Sequence, residues 1–228
     1  NGLKFYCGVF TNITRDHLDY HKTFACYRNV KKRFFDSLTS DSFAIINSDD
    51  KNSKFMIQNC LSKIKTFGIK NLADNNGKIL EIDFSGMLLK INNKEFWTPL
   101  VGKFNASNLL AVFTVANIAG IKSIEILRIL SQTKGINGRF EILKTPNNAF
   151  VIVDYAHTPN SLQNVIDTIS QIRTKNEVFI TIIGCGGNRD LGKRSKMGEI
   201  VLNGCDKVIF TSDNPRYEKP EKIINDML

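Results

Sequence analysis

The segment TNITRDHLDYH, residues 11–21, places two histidines, two aspartates and an arginine within eleven residues. If the segment is helical, His17 and His21 share a face because they are four residues apart. A zinc-protease motif requires Glu directly after the first histidine, and Leu18 stands there instead. The residue types leave three interpretations: one histidine in contact with a magnesium ion or a phosphate, an acid–base centre, or a solvated helix start.

A second candidate is the glycine-rich segment GCGGNRDLGKR, residues 184–194, which follows an apolar run and precedes a helical pattern. The stretch from Gly187 to Lys193 fits the GxxxxGK spacing of a phosphate-binding loop. However, Arg194 stands where a Ser or Thr hydroxyl would contact magnesium. A glycine-rich turn with several basic residues more simply predicts a site for a phosphate or carboxylate anion.

Three apolar runs in the second half of the chain end in the polar segments VDYAHTPN, GCGGNRD and TSDNPR. Ligands of open parallel α/β sheets bind beyond the carboxyl ends of the strands, so we expect these ends to share one rim. The polar residues predicted at this rim are Asp154, His157, Arg189, Asp213, Asn214 and Arg216. The DNPR residues either form a simple turn before a helix or present Arg216 to a carboxylate and Asp213 to a cation.

The elements that must position these residues differ between the two halves. The first half predicts a helix over 16–37 capped by Thr14 or Asp16, a buried strand at Phe43–Asn47, antiparallel hairpins at ILEIDF and MLLKI, and helices over 105–119 and 123–131. After GRFE, strands and helices alternate, which predicts a parallel sheet covered by helices. We therefore expect an α/β protein with domains at 1–143 and 144–228, divided in the turn at 144–148.

Composition narrows the functional classes. The chain has 228 residues, 42% hydrophobic and 23% charged, which is typical of a globular protein. No apolar run approaches the roughly 18 residues of a membrane span, and no signal peptide is evident. Five widely spaced cysteines without a CxxC pair indicate a reducing compartment. The net charge of +9 suggests anionic partners, but no aromatic-interleaved basic stripe typical of nucleic-acid binding appears.

Taken in order, the motifs TNITRDHLDYH, GKFNASNLLA, GRFE, VDYAHTPNSL, GCGGNRDLGKR and DNPR closely resemble those of the Mur ligases. Within that family they look like those of the enzymes that add the third peptide residue to UDP-N-acetylmuramoyl-L-Ala-D-Glu. The resemblance covers essentially the whole chain. It implies a partial central ATP-binding domain, followed by a partial, Rossmann-like domain that binds the incoming amino acid.

The resemblance implies ATP-dependent amide bond formation through an acyl phosphate, in which positioning and charge neutralisation supply the catalysis. The implied cofactors are ATP and Mg²⁺. The implied partners are the UDP-N-acetylmuramoyl-dipeptide and meso-diaminopimelate, with no nucleic acid and no membrane insertion. The implied setting is the synthesis of peptidoglycan precursors in the cytoplasm.

Individual roles also follow from the resemblance. Lys31 would carry a carbamate, whose oxygens are hard ligands, and would hold magnesium with His17, whereas His21 would lie at the helix surface. The positions that match the family's ATP side are Asn105, Asn108, Arg139, Asp154 and His157. The positions that match its amino-acid pocket are Arg189, Asp213, Asn214, Pro215 and Arg216. The arginine of DNPR is associated with the distal carboxylate of meso-diaminopimelate, which lysine lacks.

The sequence also departs from the family pattern. It contains no GTNGKT-type phosphate-binding loop, no uridine-nucleotide domain and no C-terminal Gly-His-Glu region. We therefore expect both ends to be cut from a longer protein, and the 228 residues alone to be inactive. Two alternatives stay open: a folylpolyglutamate-synthase-like ligase that takes glutamate, and a non-catalytic remnant. A GTNGKT-type stretch in frame upstream would exclude the remnant.

Overall fold

The structure, a computed structural model, describes residues 3–14, 18–174 and 176–228. The chain divides into two compact units, with a break between Gly135 and Ile136. Among the described residues, the first unit holds 3–14 and 23–135, and the second holds 18–22 and 136–228. No helix in the described ranges has the length and apolarity to cross a bilayer.

The first unit is built on a six-stranded sheet in which the strands follow one another in sequence order. The strands are β1 (Cys7–Phe10), β2 (Phe43–Asn47), β3 (Lys63–Gly68), β4 (Asn75–Asp83), β5 (Gly86–Ile91) and β6 (Lys94–Thr98). Strands β1 to β4 pair in parallel, and β4, β5 and β6 pair in antiparallel fashion. The hairpins predicted from ILEIDF and MLLKI are therefore confirmed.

The helix expected over 16–37 is wrong as a single element. The structure has α1 (Leu18–His21), which belongs to the second unit, and α2 (Phe24–Asp36), which belongs to the first. Lys22 adopts the left-handed conformation with φ +64°, which interrupts the helix. Thr23 then caps α2, because its hydroxyl oxygen accepts the backbone N–H of Cys26 at 3.2 Å.

Helices cover both faces of the first sheet. On one face lie α4 (Lys103–Ile118) and α5 (Ser123–Gln132), packed on the sheet residues Ile45, Phe67 and Leu89. On the other lie α2 and α3 (Ser53–Met56), packed on Phe10 and Ile46. Successive β2 residues point to opposite faces, so Ile45 and Ile46 serve different cores. This covering on both faces is the arrangement expected for a parallel sheet.

The second unit contains β7 (Glu141–Lys144), β8 (Phe150–Val153), α6 (Pro159–Ile172), β9 (Ile180–Ile183), α7 (Arg194–Gly204), β10 (Lys207–Phe210) and α8 (Pro220–Asn225). The predicted alternation of strands and helices is confirmed. The pairing differs: β9 and β10 are parallel, whereas β8 pairs with β7 across the turn 145–149. The predicted parallel sheet therefore does not include β8, which pairs with β7 instead of β9. The bond from Thr145 N–H to the Ala149 carbonyl at 2.9 Å closes this hairpin.

Candidate functional site

The glycine-rich loop and the DNPR loop meet beyond the carboxyl ends of β9 and β10, as the parallel pairing of those strands requires. The backbone N–H of Gly187 donates to the carbonyl of Asn214 at 2.9 Å. The backbone N–H of Tyr217 donates to the side-chain oxygen of Asn188 at 3.0 Å. The guanidinium of Arg216 donates through Nη1 to the carbonyl of Gly187 at 2.8 Å. These bonds hold the two loops against each other.

The glycines are what allow this approach. A Cβ placed on Gly187 would lie 1.9 Å from the carbonyl oxygen of Pro215, and one on Gly184 would lie 2.8 Å from that of Thr211. A Cβ on Gly186 would instead meet a side chain, the Nη1 of Arg216 at 2.9 Å. Gly187, the first glycine of the spacing read as a phosphate-binding loop, thus allows close contact between two backbone segments.

Arg216 and Asp213 face the same point of the glycine loop. The position of a Cβ on Gly186 lies 2.9 Å from the Arg216 Nη1 and 3.8 Å from Oδ2 of Asp213. Arg216 has φ +52°, and its backbone N–H donates to the side-chain oxygen of Asn214 at 3.2 Å, so a local turn sets its direction. A guanidinium beside a carboxylate suits a ligand that carries a carboxylate next to an ammonium group.

Arg194 is a charged residue of this region whose role the sequence did not indicate. Its side chain is only 1% exposed. Its guanidinium donates to Glu218 at 2.8 and 2.9 Å, to Asp226 at 2.7 Å and to the Gly186 carbonyl at 3.3 Å. The hydrogen bond from Arg194, followed by that from the Asn188 backbone, lowers the pKa of Glu218 to about 2.

One signal in the sequence could have pointed to this ion cluster. Arg194 is the first residue of α7, where a positive charge is disfavoured by the helix dipole. An arginine at such a position indicates that a carboxylate outside the helix compensates for it.

A basic cluster lies between the start of β7 and the end of β8. The guanidinium of Arg139 stacks 4.1 Å from the ring centroid of Tyr155, and that ring meets the ring of His157 at 5.1 Å. Lys193 donates through Nζ to the backbone carbonyl of His157 at 2.7 Å. Three of the predicted ATP-side residues, Arg139, Asp154 and His157, therefore lie together in the second unit.

The carboxylate of Asp154 binds two backbone N–H groups of this cluster. Its Oδ2 accepts the N–H of Phe140 at 2.8 Å, and its Oδ1 accepts that of Ala156 at 2.7 Å. The carboxylate thus holds the residue that follows Arg139 and the residue that precedes His157. This arrangement fixes the two backbone segments that carry the cationic and imidazole side chains.

The other two ATP-side candidates lie on α4, in the first unit. Asn105 is half-buried, and its side-chain amide donates to the Val101 carbonyl at 2.8 Å. Asn108, three residues further along, is exposed. Near the start of the same helix, burial followed by the charge of Lys70 lowers the pKa of Lys103. The predicted ATP-side residues are therefore divided between the two units.

The candidate magnesium ligands fall in different parts of the chain. Lys31 lies on α2 with an exposed side chain, its Nζ 5.6 Å from the ring centroid of Tyr27. Its neighbour Lys32 is buried and forms an ion pair with Asp36. The exposed Lys31 amine is accessible to carbon dioxide, as a carbamate requires. His17 and Asp16 lie outside the described residues, so their roles stay predictions.

His21 is described, and it ends α1 with its ring 4.9 Å from that of Tyr20. In the described ranges, no group of three or more His, Cys, Asp and Glu side chains converges as a set of metal ligands.

The other residues predicted for the amino-acid pocket lie beyond the ends of β9 and β10. Arg189 and Asp213 are exposed there, and Pro215 is half-buried.

Comparison with known proteins matches both halves of the chain to one family. Residues 1–116 match the Mur ligase middle domain, and residues 138–228 match the Mur ligase glutamate ligase domain. The UDP-N-acetylmuramoyl-L-alanyl-D-glutamate–2,6-diaminopimelate ligase of Phocaeicola vulgatus is 51% identical over 227 residues, which cover 100% of this chain and 47% of that protein. The chain thus spans about half the length of the curated relatives that it matches.

Solved structures show the same fold. A structure of a UDP-N-acetylmuramoyl-L-alanyl-D-glutamate–2,6-diaminopimelate ligase has a TM-score of 0.65 and 35% identity, covering 100% of this chain and 48% of that one. A folylpolyglutamate synthase from Thermotoga maritima has a TM-score of 0.72 at 14% identity, covering 97% of this chain and 51% of that one. At that identity the likeness concerns the fold alone.

Proposed function

Because the chain belongs to the Mur ligase family, we propose that it supplies parts of the ATP side and of the amino-acid pocket of an ADP-forming ligase. The proposed reaction joins meso-diaminopimelate to UDP-N-acetylmuramoyl-L-Ala-D-Glu. The proposed setting is the cytoplasmic synthesis of peptidoglycan precursors.

One observation carries the proposed substrate: Arg216 and Asp213 face the same point of the glycine-rich loop. One end of meso-diaminopimelate would present its carboxylate to the guanidinium and its ammonium group to the carboxylate. Lysine lacks the distal carboxylate, so it would leave the Arg216 fork without an anion. A site whose polar groups are buried by the bound ligand rejects a ligand that leaves them unpaired far more strongly than an apolar pocket rejects a missing methylene.

On the second unit, Arg139, His157 and Lys193 would contribute to binding ATP. Asn105 and Asn108, on the first unit, stay predicted ATP-side residues. Arg139 and Lys193 would stabilise the phosphate charge, and Asp154 would hold the backbone segments that carry Arg139 and His157. We propose that magnesium is held by Lys31, as a carbamate, and by His17. The exposed amine of Lys31 supports this role, because a carbamate turns a repelling ammonium into an anion with hard oxygen ligands. Bound magnesium would neutralise charge on the phosphates.

The proposed chemistry has two steps. A carboxylate oxygen of the UDP-linked dipeptide attacks the γ-phosphorus, the bond to ADP breaks, and an acyl phosphate forms. The neutral amine of meso-diaminopimelate then attacks the acyl carbon, phosphate leaves, and the amine loses a proton as the amide forms. The described residues would serve this sequence by orienting the incoming amine and stabilising charge, the terms that dominate catalysis without a covalent enzyme intermediate.

The test uses the protein encoded by the complete reading frame, with ADP release measured for meso-diaminopimelate, lysine and glutamate. We expect meso-diaminopimelate to be preferred, and the Arg216→Met variant to lose that preference. The matched control, Lys207→Met, removes an exposed cation at the opposite end of β10 and should leave the preference unchanged. A preference for glutamate would favour the folylpolyglutamate-synthase-like alternative, and no turnover with any of the three would favour a remnant.

A further inference from the structure

Arg194 connects three segments that are distant in sequence. Its guanidinium binds the Gly186 carbonyl in the glycine-rich loop, Glu218 just after DNPR, and Asp226 just after α8. Such an arrangement is costly unless it is fully paired, because a buried charge loses its hydration. The two carboxylates and the carbonyl pair with Nη1 and Nη2 and offset most of that loss, while Nε is left without a partner among the described residues, so one cation holds the three segments together.

The bonds continue from this cation to the proposed amino-acid pocket. The carboxylate of Glu218 also accepts the backbone N–H of Asn188. The side chain of Asn188 in turn accepts the Tyr217 N–H at 3.0 Å, directly after Arg216. Arg216 itself donates to the Gly187 carbonyl at 2.8 Å. The Arg194–Glu218 pair therefore adds to the bonds that hold the two loops together, and so to the local turn at Asn214 in setting the direction of the Arg216 fork.

We propose that Arg194, acting through Glu218, is a positioning residue that sets the preference of this pocket for an amino acid with a distal carboxylate. The inference rests on the proposed function. Arg194 is buried and bonded on several sides, so it acts by fixing the glycine-rich loop against the DNPR loop rather than by contacting the ligand.

The second unit offers a matched control in another arginine–carboxylate pair. Arg173 donates through Nη1 to Asp206 at 2.6 Å, and Asp206 also accepts the backbone N–H of Phe179 at 2.8 Å. Like Arg194, Arg173 has a buried Nε without a partner among the described residues. This pair lies at the amino ends of β9 and β10, opposite the loops. It is expected to contribute to folding without orienting Arg216.

The experiment compares Arg194→Lys and Arg173→Lys in the protein encoded by the complete reading frame. Lysine keeps the charge but cannot bridge Glu218, Asp226 and a carbonyl with a planar fork. For Arg194→Lys we expect the KM for meso-diaminopimelate to rise about tenfold or more, because misplacing a positioned group by about 1 Å can cost roughly a hundredfold. The kcat and the KM for ATP should change less than about twofold, and the preference over lysine should narrow.

Arg173→Lys should change none of these kinetic values. Glu218→Gln is the second variant, because it removes the charge that Arg194 pairs with while keeping the side chain's size. It should raise the KM for meso-diaminopimelate as Arg194→Lys does, and it tests the proposal by itself if Arg194→Lys does not fold.

The proposal is overturned if the KM values for all substrates rise together, or if Arg173→Lys has the same effect as Arg194→Lys. Failure of the unaltered protein to use meso-diaminopimelate would instead refute the proposed function.

Discussion

Replacing Gly187 by alanine should displace the DNPR loop, because the new Cβ would lie 1.9 Å from the Pro215 carbonyl oxygen. Normal contacts of a Cβ stay beyond 3.0 Å, so one backbone must retreat by about 1.1 Å. Neither atom belongs to a flexible side chain, and Pro215 directly precedes Arg216. We expect a cost of about 1–3 kcal/mol in the free energy of unfolding, which is typical of overpacking. A shift of about 1 Å at Arg216 should lower kcat/KM for meso-diaminopimelate by roughly a hundredfold.

Alanine substitutions at two other glycines show whether the clash with the Pro215 backbone, rather than the loss of a glycine in general, causes these effects. At Gly186 the nearest atom is the Arg216 Nη1 at 2.9 Å, the far end of a flexible side chain. Gly186→Ala should therefore keep its stability and lose less activity than Gly187→Ala. At Gly135 the nearest atom is 3.7 Å away, so Gly135→Ala should match the unaltered protein or gain up to about 1 kcal/mol.

The assay combines thermal unfolding with steady-state kinetics on the protein encoded by the complete reading frame. If Gly187→Ala unfolds and reacts like Gly135→Ala, the backbones of the two loops are not in close contact at Gly187 and Pro215. If Gly187→Ala loses stability but keeps its kcat/KM for meso-diaminopimelate, the loop contact does not position Arg216.

Three further predictions concern other parts of the chain. Lys31→Ala should abolish ligation while changing the free energy of unfolding by less than about 0.5 kcal/mol, since the side chain is exposed, and Arg33→Ala, two residues along α2, should leave both ligation rate and unfolding unchanged. Bonding to Arg194 lowers the pKa of Glu218 from 4.5 to about 2. The ionised Glu218 therefore contributes fully to the free energy of unfolding above pH 4.5, and this contribution is lost as the pH falls toward 2. Glu218→Gln should flatten that part of a plot of melting temperature against pH. The 228 residues alone contain no GTNGKT-type loop and should not release phosphate from ATP; turnover of the order of 1 per second would contradict this.

Much of the fold was readable from local patterns. The hairpins from β4 to β6 follow from short apolar runs separated by NNG, SG and NN, and the helices α4, α5 and α6 follow from their apolar periodicity. Polar residues at the ends of β9 and β10 also predicted that the glycine-rich and DNPR loops would share one rim. Each of these signals depends on residues near one another in sequence.

The pairing of strands and the burial of individual side chains could not be predicted from local sequence patterns. The pattern of β8 is that of an apolar strand, but it does not state whether β7 or β9 is the partner. The break between α1 and α2 depends on a left-handed conformation at Lys22, a residue without β-branching or special turn chemistry. In the run of basic residues on α2, Lys32 is buried beside Phe55 and Asp36, whereas Lys31 is exposed.

The sequence by itself determined the family, the alternation of strands and helices, and which residue types stand at the strand ends. In the sequence, Arg194 only shows that the Ser or Thr of a phosphate-binding loop is missing. The tertiary structure alone shows that Arg194 is a buried cation that holds two loops together. Its carboxylate partners stand 24 and 32 residues away. Secondary structure and turns follow from interactions between near neighbours, but the burial of a charge depends on which distant groups the fold brings to it.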